Sequence, residues 1–269
     1  MASRVAVVEF GNYTASVTAA FDTVGAAGVL ERQKRIILKP NIVNDTPHPV
    51  TTSPACVEAV IAYCRMHSRA EIAIAEGCGG MDTARAFKTL GYTELSMRVS
   101  VPLVDLDNEE TVQLPNPAFQ YLKEFPLPRC LEDSFLISIP VLKAHSMSDV
   151  TLTMKNMFGI APAWRYAGSY YRKSKLHGRN NHELHQYVVE LNQYRHPDLT
   201  LLDATIGMAE SHLSGRQCSP PVNKLVAGFD PVAVDAFCAG LLGFRWQDIG
   251  HIQLANGLLG NAEAEMVYA

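Results

Sequence analysis

Apolar and polar positions alternate in blocks along this chain, and the block lengths predict its elements. Val5 to Phe10 reads as a strand, and Tyr13 to Val29 as a helix with Val17, Phe21 and Val24 on one face. Arg35 to Leu38 is a strand that stops at Lys39-Pro40-Asn41. Ser53-Pro54 supplies an N-cap and a first-turn proline for a helix through His67, with Val57, Val60, Ile61 and Cys64 inward. Glu71 to Ala75 is a further strand, and Asp82 caps a helix that ends near Gly91. The rhythm breaks between Pro102 and Arg129, where Pro115, Pro117, Pro126 and Pro128 among short alternating runs predict a small β excursion. Core strands resume at Phe135–Ile139, Leu199–Leu202 and Lys224–Ala227. Asn181 caps a predicted helix from His182 to Arg195. An apolar helix is expected over Val232–Leu242 and a last one over about Trp246 to Leu254.

Repeated strand–helix–strand units imply right-handed crossovers. The predicted fold is α/β: three layers, with a largely parallel or mixed sheet between helices. Residues 1–269 read as a single domain, or as two lobes with a core of 1–101 plus 130–269. Residues 102–129 would then be the β insertion, and 163–181, rich in Tyr, Arg, Lys and Gly, a lid-like loop.

Composition narrows the function classes. The formal charge of −4 argues against nucleic acid as the main partner. No apolar run approaches the ~20 residues of a membrane span, and the N-terminal stretch reads as a first strand. The 6 cysteines are scattered without a CxxC pair, which predicts neither a disulfide scaffold nor an iron–sulfur cluster. A reduced, cytoplasmic setting is the expectation.

The chemistry concentrates where core strands run out. Lys39-Pro40-Asn41, Glu76-Gly77, Lys143-Ala144-His145 and Asp203 each follow an apolar run, and four such ends look like the rim of one pocket. Thr151, Lys155 and Asn156 follow shortly after His145. The plainer reading makes Lys143 and Lys155 surface lysines that bury only their stems. Other features carry less. Gly77-Cys78-Gly79-Gly80 lacks both phosphate-loop spacings. Ser53 reads as a cap, and His182 and His185 as surface histidines, whereas His177 lies in the lid where it would fold back onto the site. Asp235 reads as a buried carboxylate whose partner would be Lys39 or Lys143.

Lys39-Pro40-Asn41, Thr51-Thr52, Ala75-Glu76-Gly77, Leu142-Lys143-Ala144-His145, Thr151…Lys155-Asn156…Phe158-Gly159, Leu202-Asp203-Ala204 and Phe229-Asp230-Pro231-Val232-Ala233-Val234-Asp235 occur in that order. Together they resemble the prokaryotic family called domain of unknown function 362, over nearly the whole chain. Members are often fused to ferredoxin-like modules, and no such module is present here. After Asp203 the family pattern is usually Gly-rich with an acidic residue; here it reads Gly207-Met208-Ala209-Glu210-Ser211-His212. A weaker resemblance is to the lactate racemase family, whose nickel-pincer nucleotide sits on a lysine; His145, Lys155 and His177 echo its spacing. The glycine pair before that family's lysine is replaced by Leu152-Thr153-Met154.

The expected function is a small-molecule enzyme of isomerase, cyclase or lyase type working by proton transfer. Lys143 and Lys155 would bind or polarise an oxyanion, His145 would move the proton, and Asp203 would orient the site. Lys39, Asn41, Glu76, Thr151, Asn156, Tyr166, Tyr170, His177 and Glu210 would line the substrate, which is expected to be anionic or oxygenated. No cofactor is expected on this reading. The alternatives are metal- or nickel-pincer-dependent hydride chemistry and a non-catalytic binder of an anionic metabolite. A homodimer is compatible with either.

Overall fold

A computed structural model describes residues 3–169 and 171–269 of the chain. The N-terminal half builds β1 (Arg4–Glu9), α1 (Tyr13–Thr23), α2 (Ala26–Leu30), β2 (Arg35–Pro40), α3 (Pro54–His67), β3 (Glu71–Glu76), α4 (Thr83–Thr89), α5 (Tyr92–Val99) and β4 (Leu103–Asp105). The predicted β excursion is a hairpin of β5 (Thr111–Pro115) and β6 (Glu124–Pro128), which pair antiparallel apart from the main sheet. There follow β7 (Phe135–Ile139), β8 (Val141–His145), β9 (Asp149–Thr151), α6 (Thr153–Asn156), α7 (Ala163–Tyr166) and α8 (Asn181–Tyr194). The chain closes with β10 (Leu199–Met208), β11 (Lys224–Gly228), α9 (Pro231–Leu241), α10 (Gly250–Ala255) and β12 (Glu265–Tyr268).

The strands form a mixed sheet of order β12-β1-β11-β10-β7-β2-β3-β4, with β8 and β9 attached beside β10. Its centre is parallel: β10 pairs with β7, β7 with β2, and β2 with β3 in the same direction. The antiparallel pairs β10–β11 and β1–β11 finish the other side. Two apolar layers flank this sheet. Val17, Phe21, Val57, Val60 and Leu95 from α1, α3 and α5 pack on one face. Met154, Val188, Val234 and Ile252 from α6, α8, α9 and α10 pack on the other. Successive strand residues point to opposite faces, so β1 sends Val5 and Val7 to one layer and Ala6 and Val8 to the other. The α/β class and the flanked mixed sheet are as the periodicity predicts.

Several boundaries differ, for local reasons. The helix expected over residues 13–29 breaks at Gly25, whose φ of 74° lies in the left-handed region that glycine adopts without cost. Asn180, not Asn181, caps α8, its side chain accepting from Glu183 N–H. The last expected helix divides at Ile249 into a short 3-10 turn and α10. The largest difference concerns residues 140–145. They read as the end of a strand, yet Val141–His145 is itself a strand that continues beyond Pro140 and pairs with β10 and β9. The edge strand β12 and helix α5 are not among the expected elements, although α5 is amphipathic, with Tyr92 and Leu95 buried one turn apart.

Candidate functional site

Because β3, β2, β7 and β10 run parallel and side by side, their C-terminal ends share one edge of the sheet. Ligand sites of open α/β sheets sit at that edge. Lys39 ends β2 and Glu76 ends β3, and β8 carries Lys143 and His145 one strand repeat apart, on the same face.

A hydrogen-bonded chain runs along this edge. Lys39 Nζ donates to both Glu76 oxygens at 2.9 and 2.8 Å and to Asn156 Oδ1 at 3.3 Å. Asn156 Oδ1 also accepts from Asn41 Nδ2 at 3.0 Å, while Asn156 Nδ2 donates to Ser138 Oγ at 3.0 Å. Asn41 Oδ1 in turn accepts from Lys143 Nζ, which also donates to the Val50 carbonyl at 2.7 Å. Glu76 gains N–H bonds from Ile42 and Gly77 as well. Burial lowers the Lys39 pKa and raises that of Glu76, while the contact between them pulls each back toward the charged pair. Gly159 packs directly on this pair: a Cβ there would collide with Glu76 Oε1 and Lys39 Nζ.

In front of that network lies a cavity of about 520 Å³. Its wall includes Asn41, Glu76, Thr151, Asn156, Lys155, His145, His177 and His212, with Ile42, Met147, Phe158 and Leu213 supplying apolar surface. The three imidazoles form a stack. His145 lies 4.0 Å from His212 and 6.3 Å from His177 between ring centroids, at interplanar angles of 19° and 23°. Burial, followed by nearby lysine charge, pushes His177 and His212 down to about 3, and His145 well below its ordinary range. The stack is therefore neutral at pH 7.

His145 has a defined tautomer. Its Nδ1 accepts the backbone N–H groups of Met147 at 3.0 Å and Ser148 at 3.2 Å, in the turn between β8 and β9. An imidazole nitrogen that accepts cannot carry the proton, so the proton of the neutral ring resides on Nε2. Asp149, with φ at 62°, completes the turn.

Lys155 stands opposite in character to Lys39. It is 6% exposed, lines the cavity and makes no hydrogen bond or ion pair among the described residues. Its Nζ sits 3.9 Å from the centroid of the Phe158 ring. Burial lowers its pKa to about 7, and burial with the Lys155 charge does the same to Lys143. The position of Lys155 follows from α6, a single turn whose first N–H groups are held by Asp235. Thr153 N–H and Met154 N–H donate to its two oxygens at 2.8 and 2.9 Å. Asp235 thus holds backbone rather than Lys39 or Lys143, the partners its pattern suggested; burial raises its pKa to about 7.

Tyr171, Lys173, Ser174 and His177 cover one side of the cavity. Lys173 Nζ donates to the carbonyls of Gly77 at 2.7 Å and Gly159 at 2.8 Å and lies 3.3 Å from Asp107. Asp107 also accepts from Arg172 at 2.9 Å and from Ala163 N–H at 2.9 Å.

Five of the expected site residues lie elsewhere. Lys39 and Lys143 are in the network behind the wall. Asp203 is fully buried and accepts from Tyr13 Oη at 2.8 Å and Thr205 Oγ1 at 2.7 Å, off the cavity. Tyr166 stacks on Phe125 with centroids 6.1 Å apart, and Glu210 is exposed and paired with Arg216 at 2.6 Å. Tyr170 falls outside the described residues. His185 is buried, its Nδ1 3.0 Å from that of His251, and not the surface histidine its spacing suggests. His212, Lys173 and Asp107 were not singled out for the site. The only local signal for His212 was a third histidine downstream of a core strand. Lys173 and Asp107 meet across 65 residues or more and carry no local signal.

The sequence profile described as "Domain of unknown function (DUF362)" matches residues 36–240. The chain belongs to this family. A curated relative from Synechocystis sp. (strain ATCC 27184 / PCC 6803 / Kazusa), described as thylakoid-associated protein sll1697, is 24% identical over 251 residues. The alignment covers 87% of this chain and 71% of the relative. The cytoplasmic setting expected from cysteine usage is corrected on this ground, because that relative is named for association with a membrane system. No helix among the described residues is long and apolar enough to cross a membrane.

Proposed function

We propose that this family member is a small-molecule enzyme that moves protons on an oxygenated or anionic substrate, in a reaction of isomerase, cyclase or lyase type. One observation carries the reading: a buried amine, Lys155, without a partner among the described residues, shares a closed-backed cavity with three neutral imidazoles. Groups whose surroundings displace their pKa values, gathered in a cleft, are the mark of acid–base sites. A purely structural lysine would have a carboxylate or carbonyl partner, as Lys39 and Lys173 do. In this reading His145 Nε2–H and Lys155 hold the developing oxyanion, and His177 and His212 are the proton carriers. The hydrogen bonds at His145 Nδ1 make that ring a donor, which moves the proton-carrying role to its neighbours. Asn41, Asn156 and the Lys39–Glu76 pair keep the wall rigid, which preserves aim without reorganisation. The test is to identify the ligand that co-purifies with untagged protein by mass spectrometry, then incubate it with enzyme in D2O. Deuterium at a carbon-bound position, lost in His177→Gln with His212→Gln, is the expected result. A ligand left unlabelled by wild-type protein would refute proton transfer at carbon.

A second reading rests on a separate observation: His145, Lys155 and His177 share the cavity wall. Lys155 would hold a pincer nucleotide and His177 its metal, which would supply hydride chemistry. Among the described residues no three His, Cys, Asp or Glu side chains converge as a metal site of their own, so such a metal would need the nucleotide. Elemental analysis of untagged protein separates the two readings.

A further inference from the structure

We propose that Lys155 is a covalent site that forms an imine with a small carbonyl compound bearing an apolar body; this rests on the acid–base reading of the same cavity. Four features of the structure meet at this residue. The residue is more than nine-tenths buried and lines the cavity, and its amine has no acceptor or counter-ion among the described residues. Every neighbouring lysine is already committed: Lys39 to Glu76, Lys143 to Asn41 and Val50, and Lys173 to Asp107 and two carbonyls. Phe158 lies directly beside it, and Met147, Ile42 and Leu213 add apolar surface to the same cavity, which favours a ligand with a hydrocarbon portion. Finally, burial brings the amine to about 7, so a large fraction carries the free lone pair that addition to a carbonyl needs.

The reaction balances without an oxidant or reductant. The nitrogen lone pair adds to the carbonyl carbon, the C=O π pair moves to oxygen, and oxygen gains the proton that nitrogen loses. The resulting carbinolamine expels its hydroxyl, with a second proton, as water, and the C=N bond forms. His145 Nε2–H is placed to donate toward the carbonyl oxygen, and the neutral rings of His177 and His212 can receive and return the nitrogen's protons. Protonated imine is an electron sink, which makes the adjacent C–H acidic and links the covalent step to the proposed proton transfer.

The experiment uses a low concentration of butyraldehyde with cyanoborohydride at about pH 7 on the full chain, followed by intact mass and peptide mapping. At that pH an ordinary exposed lysine has on the order of a thousandfold less free amine than Lys155. Modification of the peptide bearing Lys155 is expected, beside that of the α-amine, whose pKa of about 8 also leaves it partly free. Lys155→Arg, checked for folding by circular dichroism, should lose the first and keep the second. Its labelling rate should level off above about pH 7, while surface lysines keep accelerating toward their own pKa near 10. Modification spread over surface lysines, unchanged in Lys155→Arg, would overturn the proposal. Failure here is distinguishable from failure of the acid–base reading. A co-purified ligand that exchanges deuterium without any trapped amine leaves acid–base chemistry standing and removes the imine. Trapping at Lys155 without exchange supports the imine and removes the proton transfer.

Discussion

Replacing Lys155 with methionine should make the protein more stable, by an amount that depends on pH in a defined direction. Burial takes the amine from 10.5 in an open chain to about 7 in the fold. Between those values the unfolded state binds more protons than the folded one, so this group makes stability rise with pH across that window. The penalty is complete at and below about pH 7 and vanishes above 10.5. At pH 7 it amounts to on the order of 4 kcal/mol. The face of Phe158, 3.9 Å from the ammonium, returns roughly 1 kcal/mol of this. Methionine keeps the length and apolar stem of lysine, so no large cavity opens. The expected gain is roughly 2–3 kcal/mol, or a Tm higher by about 4–6 °C for a chain of this size. Thermal melts of wild type and variant from about pH 6 to 10 test it, and the two curves should converge at the alkaline end. A Tm that falls on substitution, or a gain that does not shrink as pH rises, would refute the premise of an unpaired buried amine.

Four further outcomes are expected. Glu76→Gln leaves the Lys39 ammonium buried without its counter-ion and should cost roughly 3–5 kcal/mol in denaturant unfolding, far more than an exposed ion pair. His177 and His212 stay neutral down to about pH 3 in the fold but protonate near 6.5 when unfolded. The unfolded state therefore binds more protons between those values, and stability should decline as pH falls below about 6.5, a loss that His177→Gln with His212→Gln reduces. Histidine-selective 15N spectra should meanwhile show His145 neutral with its proton on Nε2. Asp107→Asn weakens the hold on Arg172 and Lys173 and should speed limited proteolysis within residues 163–181, with the rest of the chain unaffected.

What the sequence determined by itself is whatever local periodicity and short motifs encode. Pro54 to His67 is a helix because Ser53 caps it, Pro54 opens it and Val57, Val60, Ile61 and Cys64 repeat on one face. The apolar runs that become β2, β3, β7 and β10 were legible for the same reason. So was the accumulation of Lys39, Glu76, Lys143 and His145 at their ends, since charged residues after core strands stand out along the chain. Tertiary structure decided how those residues divide between scaffold and cavity. Lys39, Lys143 and Lys155 look alike in sequence. Only the crossing of distant strands gives the first Glu76 at 2.8 Å, gives the second Asn41 and the Val50 carbonyl, and leaves the third without a partner among the described residues. Likewise Asp203 reads in sequence as a strand end, as Glu76 is, but β10 runs on to Met208, and Tyr13 and Thr205 occupy the Asp203 carboxylate away from the cavity. Short-range pattern is set by backbone geometry that repeats every two or 3.6 residues. The state of a buried charge is set instead by whichever polar atoms the fold brings within 3 Å, from residues as far apart in sequence as 190 between Tyr13 and Asp203.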